Sequence, residues 1–76
     1  MNYHEYRNKC ENKLVMLYEK DSLPHQVLKF EEELDDKYLY FATREMAQHN
    51  LISNVIRVTG GISCMIEPQF LRRYEL

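Results

Sequence analysis

Four polar side chains in the middle of the chain recur at spacings of three and four residues: Lys37, Tyr40, Arg44 and Gln48. This spacing places them on one side of a helix. Arginine can bind guanine, and glutamine can bind adenine, through paired hydrogen bonds, while lysine and tyrosine can bond to phosphate oxygens. The stripe is therefore chemically suited to a DNA groove. A polar stripe is also what any surface helix shows, so the spacing alone leaves both interpretations open.

The residue types that carry most enzyme and metal chemistry are few and scattered: His4, His25, His49, Cys10 and Cys64. No His-x-x-His or Cys-x-x-Cys spacing of a zinc site occurs among them. The pair Gly60-Gly61 lacks the lysine and serine or threonine that follow in a phosphate-binding loop. We therefore expect no enzyme activity, no metal site and no cofactor, and we interpret the cysteines as reduced thiols that pack in the interior.

The composition is that of a small globular domain. The chain has 76 residues, of which 45% are hydrophobic and 29% are charged, and its formal net charge is −2. This balance argues against a disordered tail, and it is not the strongly basic balance of many nucleic-acid-binding proteins. The sequence contains no apolar run as long as a membrane span and no secretory apolar core near its start. These features predict one cytoplasmic domain without a membrane segment.

The apolar pattern predicts two helices before the stripe. Tyr3, Tyr6 and Cys10 continue to Leu14 and Leu17 as one helical stripe, which predicts a first helix over about residues 3–18. A cap at residue 21 or 22, followed by a proline in the first turn, predicts a short second helix over about residues 23–30. The acidic run EEELDD at residues 31–36 is predicted to be a solvated turn or the first turn of the next helix. A metal site is disfavoured because the run lacks the alternating ligands and glycine of a calcium loop.

The polar stripe itself belongs to a third helix, predicted over about residues 36–49. Leu39, Ala42 and Met46 lie on its opposite, core-facing side. Asn50 can end this helix because asparagine tolerates the left-handed conformation that glycine usually supplies.

The last third of the chain predicts a β-hairpin and a final helix. Runs rich in β-branched residues flank Gly60-Gly61, which predicts a hairpin over about residues 54–66 with a primed turn. Its apolar residues fall on both faces, so helices should cover one face, while a partner or solvent covers the other. Pro68 suits the start of a C-terminal helix over about residues 68–75, with Phe70 and Tyr74 packing inward.

The segment REMAQHNLISNVIRVTGGISCMIEPQFLRRYEL resembles the second half of a small winged-helix domain, and it is similar to the YjcQ-type proteins of Gram-positive bacteria and their phages. The resemblance covers roughly residues 22–76. Asn50-Leu51-Ile52 stands at the step that ends the third helix, residues 54–66 at the wing, and Ile66-Glu67-Pro68 at a strand–proline–helix step. It implies an α+β, mainly α fold: a three-helix winged-helix domain with a two-stranded wing and a short C-terminal helix.

The resemblance implies a DNA-binding or transcription-regulatory accessory protein, of bacterial or phage origin, whose third helix enters the major groove. The residues predicted to contact double-stranded DNA are Lys37, Tyr40, Arg44, Gln48, Arg57, Thr59 and Gly60. Ser22 and His25, at the start of the predicted second helix, offer further donors to phosphate. The chain departs from the pattern at Asn50, where glycine is usual, and at residues 31–33, where three glutamates fill the helix-turn-helix turn.

A protein-interaction module that does not bind DNA is the alternative, because fold alone does not decide function. Tyrosines are frequent in the first helix, and Tyr38, Tyr40 and Phe41 cannot all face the core of the third. Exposed aromatic residues of this kind are typical interface anchors, and the acidic run can steer a basic partner. Such a protein would bind or inhibit a host factor. Under either interpretation we expect a homodimer formed through the first or the C-terminal helix.

Overall fold

Three helices and three strands make up a computed structural model that describes residues 2–30 and 36–76. They are helix α1 (Tyr3–Asp21), strand β1 (His25–Lys29), helix α2 (Asp36–Gln48), strand β2 (Ile52–Val58), strand β3 (Gly61–Ile66) and helix α3 (Pro68–Arg73). The predicted α+β class is confirmed. The prediction of a solvated acidic run concerns side chains outside the described residues. No helix in the described ranges is both long and apolar enough to cross a membrane.

The sheet joins segments that are distant in the sequence. Its strand order is β1–β3–β2, and both pairs are antiparallel. Ile62, Cys64 and Ile66 of the central strand are buried within the core that the helices complete. On the opposite face the side chains of Val27 and Ile56 are 38% and 61% exposed. The expectation that helices cover only one face of the hairpin is therefore confirmed.

The predicted second helix is wrong, because its centre is the strand β1. Asp21 is the last residue of α1, and Ser22 takes a left-handed conformation (φ 57°) that ends the helix. The carboxylate of Asp21 accepts hydrogen bonds from the Leu23 N–H (3.0 Å) and from Nε2 of Gln26 (2.8 Å). These bonds lower the pKa of Asp21, the Leu23 N–H contributing most. The predicted cap therefore orders the loop that follows α1 instead of starting a new helix.

Strand β1 is held in place by its pairing with β3. Gln26 and Leu28 are buried while their neighbours are exposed, which is the alternation of a strand with one covered face. Five residues are too few to nucleate a helix cheaply, and pairing with β3 supplies the strand with backbone hydrogen bonds. The first helix of the predicted helix-turn-helix is therefore absent, and α2 is the helix that corresponds to the predicted third one.

The other helix predictions are confirmed within one turn at their ends. The buried stripe of α1 contains Cys10 and Leu14, and α2 buries Leu39, Ala42 and Met46. Asn50 takes the predicted left-handed conformation (φ 59°) after α2. Pro68 starts α3, and Phe70 is fully buried.

The hairpin turn differs from the predicted primed type. The two central residues of the turn are Thr59 and Gly60. Gly60 has φ 81°, whereas Thr59 is not among the four described non-glycine residues with a positive φ. A positive φ at the second central residue alone is the pattern of a type II turn. Gly61 belongs to β3, where a Cβ atom would lie 1.8 Å from the carbonyl oxygen of Leu28. The second glycine therefore permits the close approach of β1 and β3.

A buried carboxylate joins α1 to α3. Glu11 is only 3% exposed, and it accepts bonds from Nε of Arg7 (3.1 Å) and from the hydroxyl of Tyr74. The guanidinium of Arg73 lies 3.8 Å from the same carboxylate. Burial, and then the bond to Glu11, raises the pKa of Tyr74 to about 12.

The same network fixes α2 against α1. Arg7 also forms an ion pair with Glu45 of α2. The hydroxyl of Tyr3 donates to the same glutamate at 2.9 Å. These contacts fix α2 beside α1 and leave the side of α2 that carries the polar stripe exposed.

Candidate functional site

The polar stripe of α2 lies on the surface, as predicted. The side chains of Lys37, Tyr40, Arg44 and Gln48 are all exposed, opposite the buried face of the helix. Nη1 of Arg44 donates to the Tyr40 hydroxyl at 3.4 Å. The Phe41 ring lies 5.6 Å from the Tyr40 ring, and the two residues are 44% and 59% exposed. The surface of α2 therefore combines cationic and aromatic groups.

A β-bulge in β2 brings Arg57 to this surface. Ser53 pairs with Met65, but Ile56 pairs with Ser63, so β2 contains one extra residue between the two pairs. The extra residue reverses the facing of every later side chain in the strand. Arg57 consequently lies opposite the buried Ile62, on the face that the helices cover.

Arg57 and the stripe line a shared groove between α2 and the hairpin, here called the α2–hairpin groove. Its volume is about 420 Å³. The lining residues are Leu39, Tyr40, Thr43, Arg44, Ala47, Val55, Arg57 and Ile62. The structure thus brings together Tyr40 and Arg44 from α2 and Arg57 from β2.

The described residues of the α2–hairpin groove carry positive charge although the chain as a whole is negative. Within residues 2–30 and 36–76, the lining contains two arginines and no acidic residue. Glu45, the acid on the neighbouring side of α2, is already bonded to Arg7 and Tyr3. Local charge of this kind governs which ligands a surface attracts.

A second groove lies along the other side of the stripe. Its volume is about 490 Å³, and its lining residues are Tyr3, Lys37, Tyr38, Phe41, Arg44, Glu45 and Gln48. Arg44 borders both grooves. All four stripe residues therefore contribute to one continuous surface around α2.

The remaining predicted contacts are not part of this surface. Thr59 is exposed at the hairpin tip, and the carbonyl of Gly60 accepts a bond from the Phe30 N–H at 3.1 Å. Neither residue lines the α2–hairpin groove. Ser22 caps the end of α1, and His25 lies in β1, with Nε2 at 2.8 Å from the Ser63 hydroxyl. The predicted phosphate donors at the start of a second helix are therefore wrong.

The cysteines are packed in the core. Both are buried and free, and burial raises the pKa of Cys10 to about 12 and that of Cys64 to about 11. A thiol must lose its proton to act as a nucleophile or a metal ligand. Within residues 2–30 and 36–76 no three histidine, cysteine or acidic side chains form a group able to hold a metal ion.

Two features of the surface were missed from the sequence. The apolar wall formed by Val55 and Ile62 depends on the bulge, and the fixing of α2 depends on the Arg7–Glu45 ion pair. Asn54 was the available signal, because an asparagine inside a strand pattern tolerates the positive φ that a bulge can require; it has φ 50°. Nothing local in the sequence indicates the ion pair.

Comparison of the chain with models of protein families, with curated proteins and with solved structures found no match.

Proposed function

We propose that this protein binds double-stranded DNA through α2 and the β2–β3 hairpin, as a small transcription-regulatory protein of winged-helix type. The observation that carries the proposal is the convergence of Arg44 and Arg57 from two different elements on one groove, whose described lining residues include no acid. In the winged-helix arrangement that the sequence resembles, a polar helix followed by a hairpin contacts the duplex. The strand β1 stands in place of the first helix of a helix-turn-helix, so docking depends on α2 and the hairpin.

The proposed contacts divide into base and phosphate contacts. Arg44 and Gln48, on the exposed side of α2, have the side chains that read guanine and adenine in the major groove. Lys37, at the start of α2, and Arg57, on β2, supply positive charge to the phosphates on either side. The hydroxyl of Tyr40, already bonded to Arg44, positions that guanidinium.

The number of cations sets the expected salt dependence. Lys37, Arg44 and Arg57 neutralise about three phosphates per chain, and the logarithm of the binding constant then falls by about 2.7 per tenfold rise in salt. Affinity should therefore drop by about forty-fold between 50 and 200 mM salt. Fluorescence anisotropy of a labelled random duplex, titrated at both concentrations, measures this slope. A salt-independent signal, or no binding at the lower concentration, contradicts the proposal.

A protein partner on the same surface is the second candidate. The exposure of Tyr40 and Phe41, at 59% and 44%, favours it, because partly exposed aromatic residues beside an arginine are typical of binding hot spots. Phe41→Ala distinguishes the two candidates, because Phe41 is not among the proposed DNA contacts. If the surface binds protein, this variant weakens binding to the partner at least as much as Arg44→Ala, whereas DNA binding depends mainly on Arg44.

A further inference from the structure

Another groove lies at the other edge of the sheet, between α1 and the side of β1 that faces away from β3; it is here called the α1–β1 groove. Its volume is about 420 Å³. The lining residues are Lys13, Met16, Leu17, Val27, Leu28 and Lys29. None of them lines the α2–hairpin groove. Met16 is 69% exposed, so the wall of the groove is apolar and accessible.

The backbone of β1 presents hydrogen-bonding groups along this groove. Among residues 2–30 and 36–76, β3 is the only strand that pairs with β1. The Ile66 N–H donates to the Pro24 carbonyl at 2.7 Å, and the Phe30 N–H donates to the Gly60 carbonyl at 3.1 Å. In an antiparallel pair the direction of these groups alternates along the strand. The N–H and C=O of Val27 therefore point away from β3, toward the groove.

One end of the α1–β1 groove is positively charged. Lys13 Nζ donates to the Lys29 carbonyl at 3.4 Å and lies 4.6 Å from the centre of the Phe30 ring. The side chain of Lys29 is exposed beside it. Among the described residues neither lysine forms an ion pair with a carboxylate. Two ammonium groups next to an open strand edge complement a carboxylate on a ligand.

We propose that the α1–β1 groove binds an extended peptide segment of a partner protein as a fourth, antiparallel strand. Strand addition to an exposed sheet edge is a recurring mode of peptide recognition, in which backbone bonds supply affinity and alternate side chains supply specificity. Because the added strand runs opposite to β1, its N-terminal end lies beside Lys13 and Lys29. The matching ligand has an acidic residue followed by alternating apolar residues.

The side chains of the added strand meet different surfaces on its two faces. Those on the helix-covered face pack against Met16 and Leu17, while those on the open face lie beside Val27. A second copy of this chain fits less well. Symmetric pairing of two β1 strands about Val27 would set Lys29 against the His25 of the other copy, and no carboxylate of β1 would meet the lysines.

The test uses a fluorescein-labelled hexapeptide in which valine and isoleucine alternate with threonine behind an N-terminal glutamate. Anisotropy with the full chain should show saturable binding. Replacing the glutamate with lysine should weaken binding at least tenfold. N-methylation of the alternate backbone amides that would donate to β1 should abolish binding. The proposal is overturned if neither change alters the affinity of the peptide. It is also overturned if the unmodified peptide does not bind.

Variants of the protein test whether the peptide binds in the α1–β1 groove. Met16→Glu puts a negative charge on the exposed wall, and Val27→Pro removes the outward N–H while the bonds to β3 remain. Both should weaken the peptide at least tenfold, whereas Arg44→Ala, in the other groove, should leave it unchanged. If Val27→Pro fails to fold, Met16→Glu and the N-methylated peptide still decide the question. Loss of peptide binding in Arg44→Ala alone would contradict the assignment to the α1–β1 groove. A sedimentation experiment in which self-association of the chain displaces the peptide would also contradict it.

Discussion

At the scale of single residues, the position of Arg57 depends on Asn54. Asn54 has φ 50° within the bulge of β2, and this bulge turns Arg57 toward α2. Without the extra residue, the alternation of the strand would place Arg57 on the open face and Ile56 over the core. The extra residue at this point of β2 therefore places Arg57, rather than Ile56, at the α2–hairpin groove.

Substitutions of Asn54 test this reasoning. Asn54→Val should lower the free energy of unfolding by about 1 kcal/mol, because a β-branched residue resists the left-handed conformation. Asn54→Gly, the matched control, should leave stability equal or slightly higher. Urea unfolding followed by circular dichroism measures both. Equal stability of the valine and glycine variants would show that the bulge does not constrain this backbone.

The buried thiols and Tyr74 should lower the stability of the folded protein at alkaline pH. Folding raises the pKa of Cys10 from 9.0 to about 12, that of Cys64 from 9.0 to about 11 and that of Tyr74 from 10.0 to about 12. A group whose pKa is raised by folding contributes stability that is fully present below its ordinary pKa and is lost as pH rises through the folded value.

The free energy of unfolding should therefore show no loss from these groups up to about pH 9 and fall by the order of a few kcal/mol toward pH 12. Urea midpoints measured across this range provide the test. In parallel, a thiol reagent at pH 8 should react slowly with the native protein and rapidly in denaturant. Fast native reaction would mean that the two cysteines are not buried.

At the scale of elements, α1, α2 and α3 follow from apolar spacing that the sequence displays openly. Strand β1 does not, because five residues cannot distinguish a period of two from one of 3.6. Its partner β3 lies far along the chain, and pairing with that strand decides its structure. Gly61 is a second example. It allows the backbone of Leu28 to approach β3 closely, and no residue near Gly61 in the sequence indicates this contact.

The burial of Glu11 also depends on residues distant in the sequence. It leads to a prediction about the contacts that hold α3 against α1. Glu11→Ala should lower the free energy of unfolding by about 3 kcal/mol, because it leaves the mostly buried Arg7 without one of its two carboxylates. Tyr74→Phe should cost about 1 kcal/mol.

A double-mutant cycle in urea separates coupling from independent effects. Because Glu11 bonds to Tyr74, the double variant should be less destabilised than the sum of the two single variants. Glu19→Ala, at an exposed position of the same helix, is the control and should change stability by less than about 0.5 kcal/mol. Simple additivity would contradict the described network.

At the scale of the whole molecule, net charge is a poor guide to the proposed site. The chain carries a formal charge of −2, yet in the part of the chain that the structure describes the α2–hairpin groove is lined by two arginines and no acid. Helical spacing was enough to predict the exposed stripe from Lys37 to Gln48. The joining of Arg57 to that stripe was not derivable from spacing, because it requires both the bulge and the packing of α2 against the sheet. Homodimerisation through α1 or α3 stays a prediction.

The most direct test of DNA binding compares three proteins on one labelled random duplex at 50 mM salt. They are the wild type, the double variant Arg44→Ala/Arg57→Ala, and Arg72→Ala, which removes an exposed arginine of α3 outside the α2–hairpin groove. Melting curves must first show that all three fold. We predict that the double variant binds at least tenfold more weakly than the wild type while Arg72→Ala binds like it. Equal losses in both variants, or no loss in the double variant, would contradict an interface formed by α2 and the hairpin.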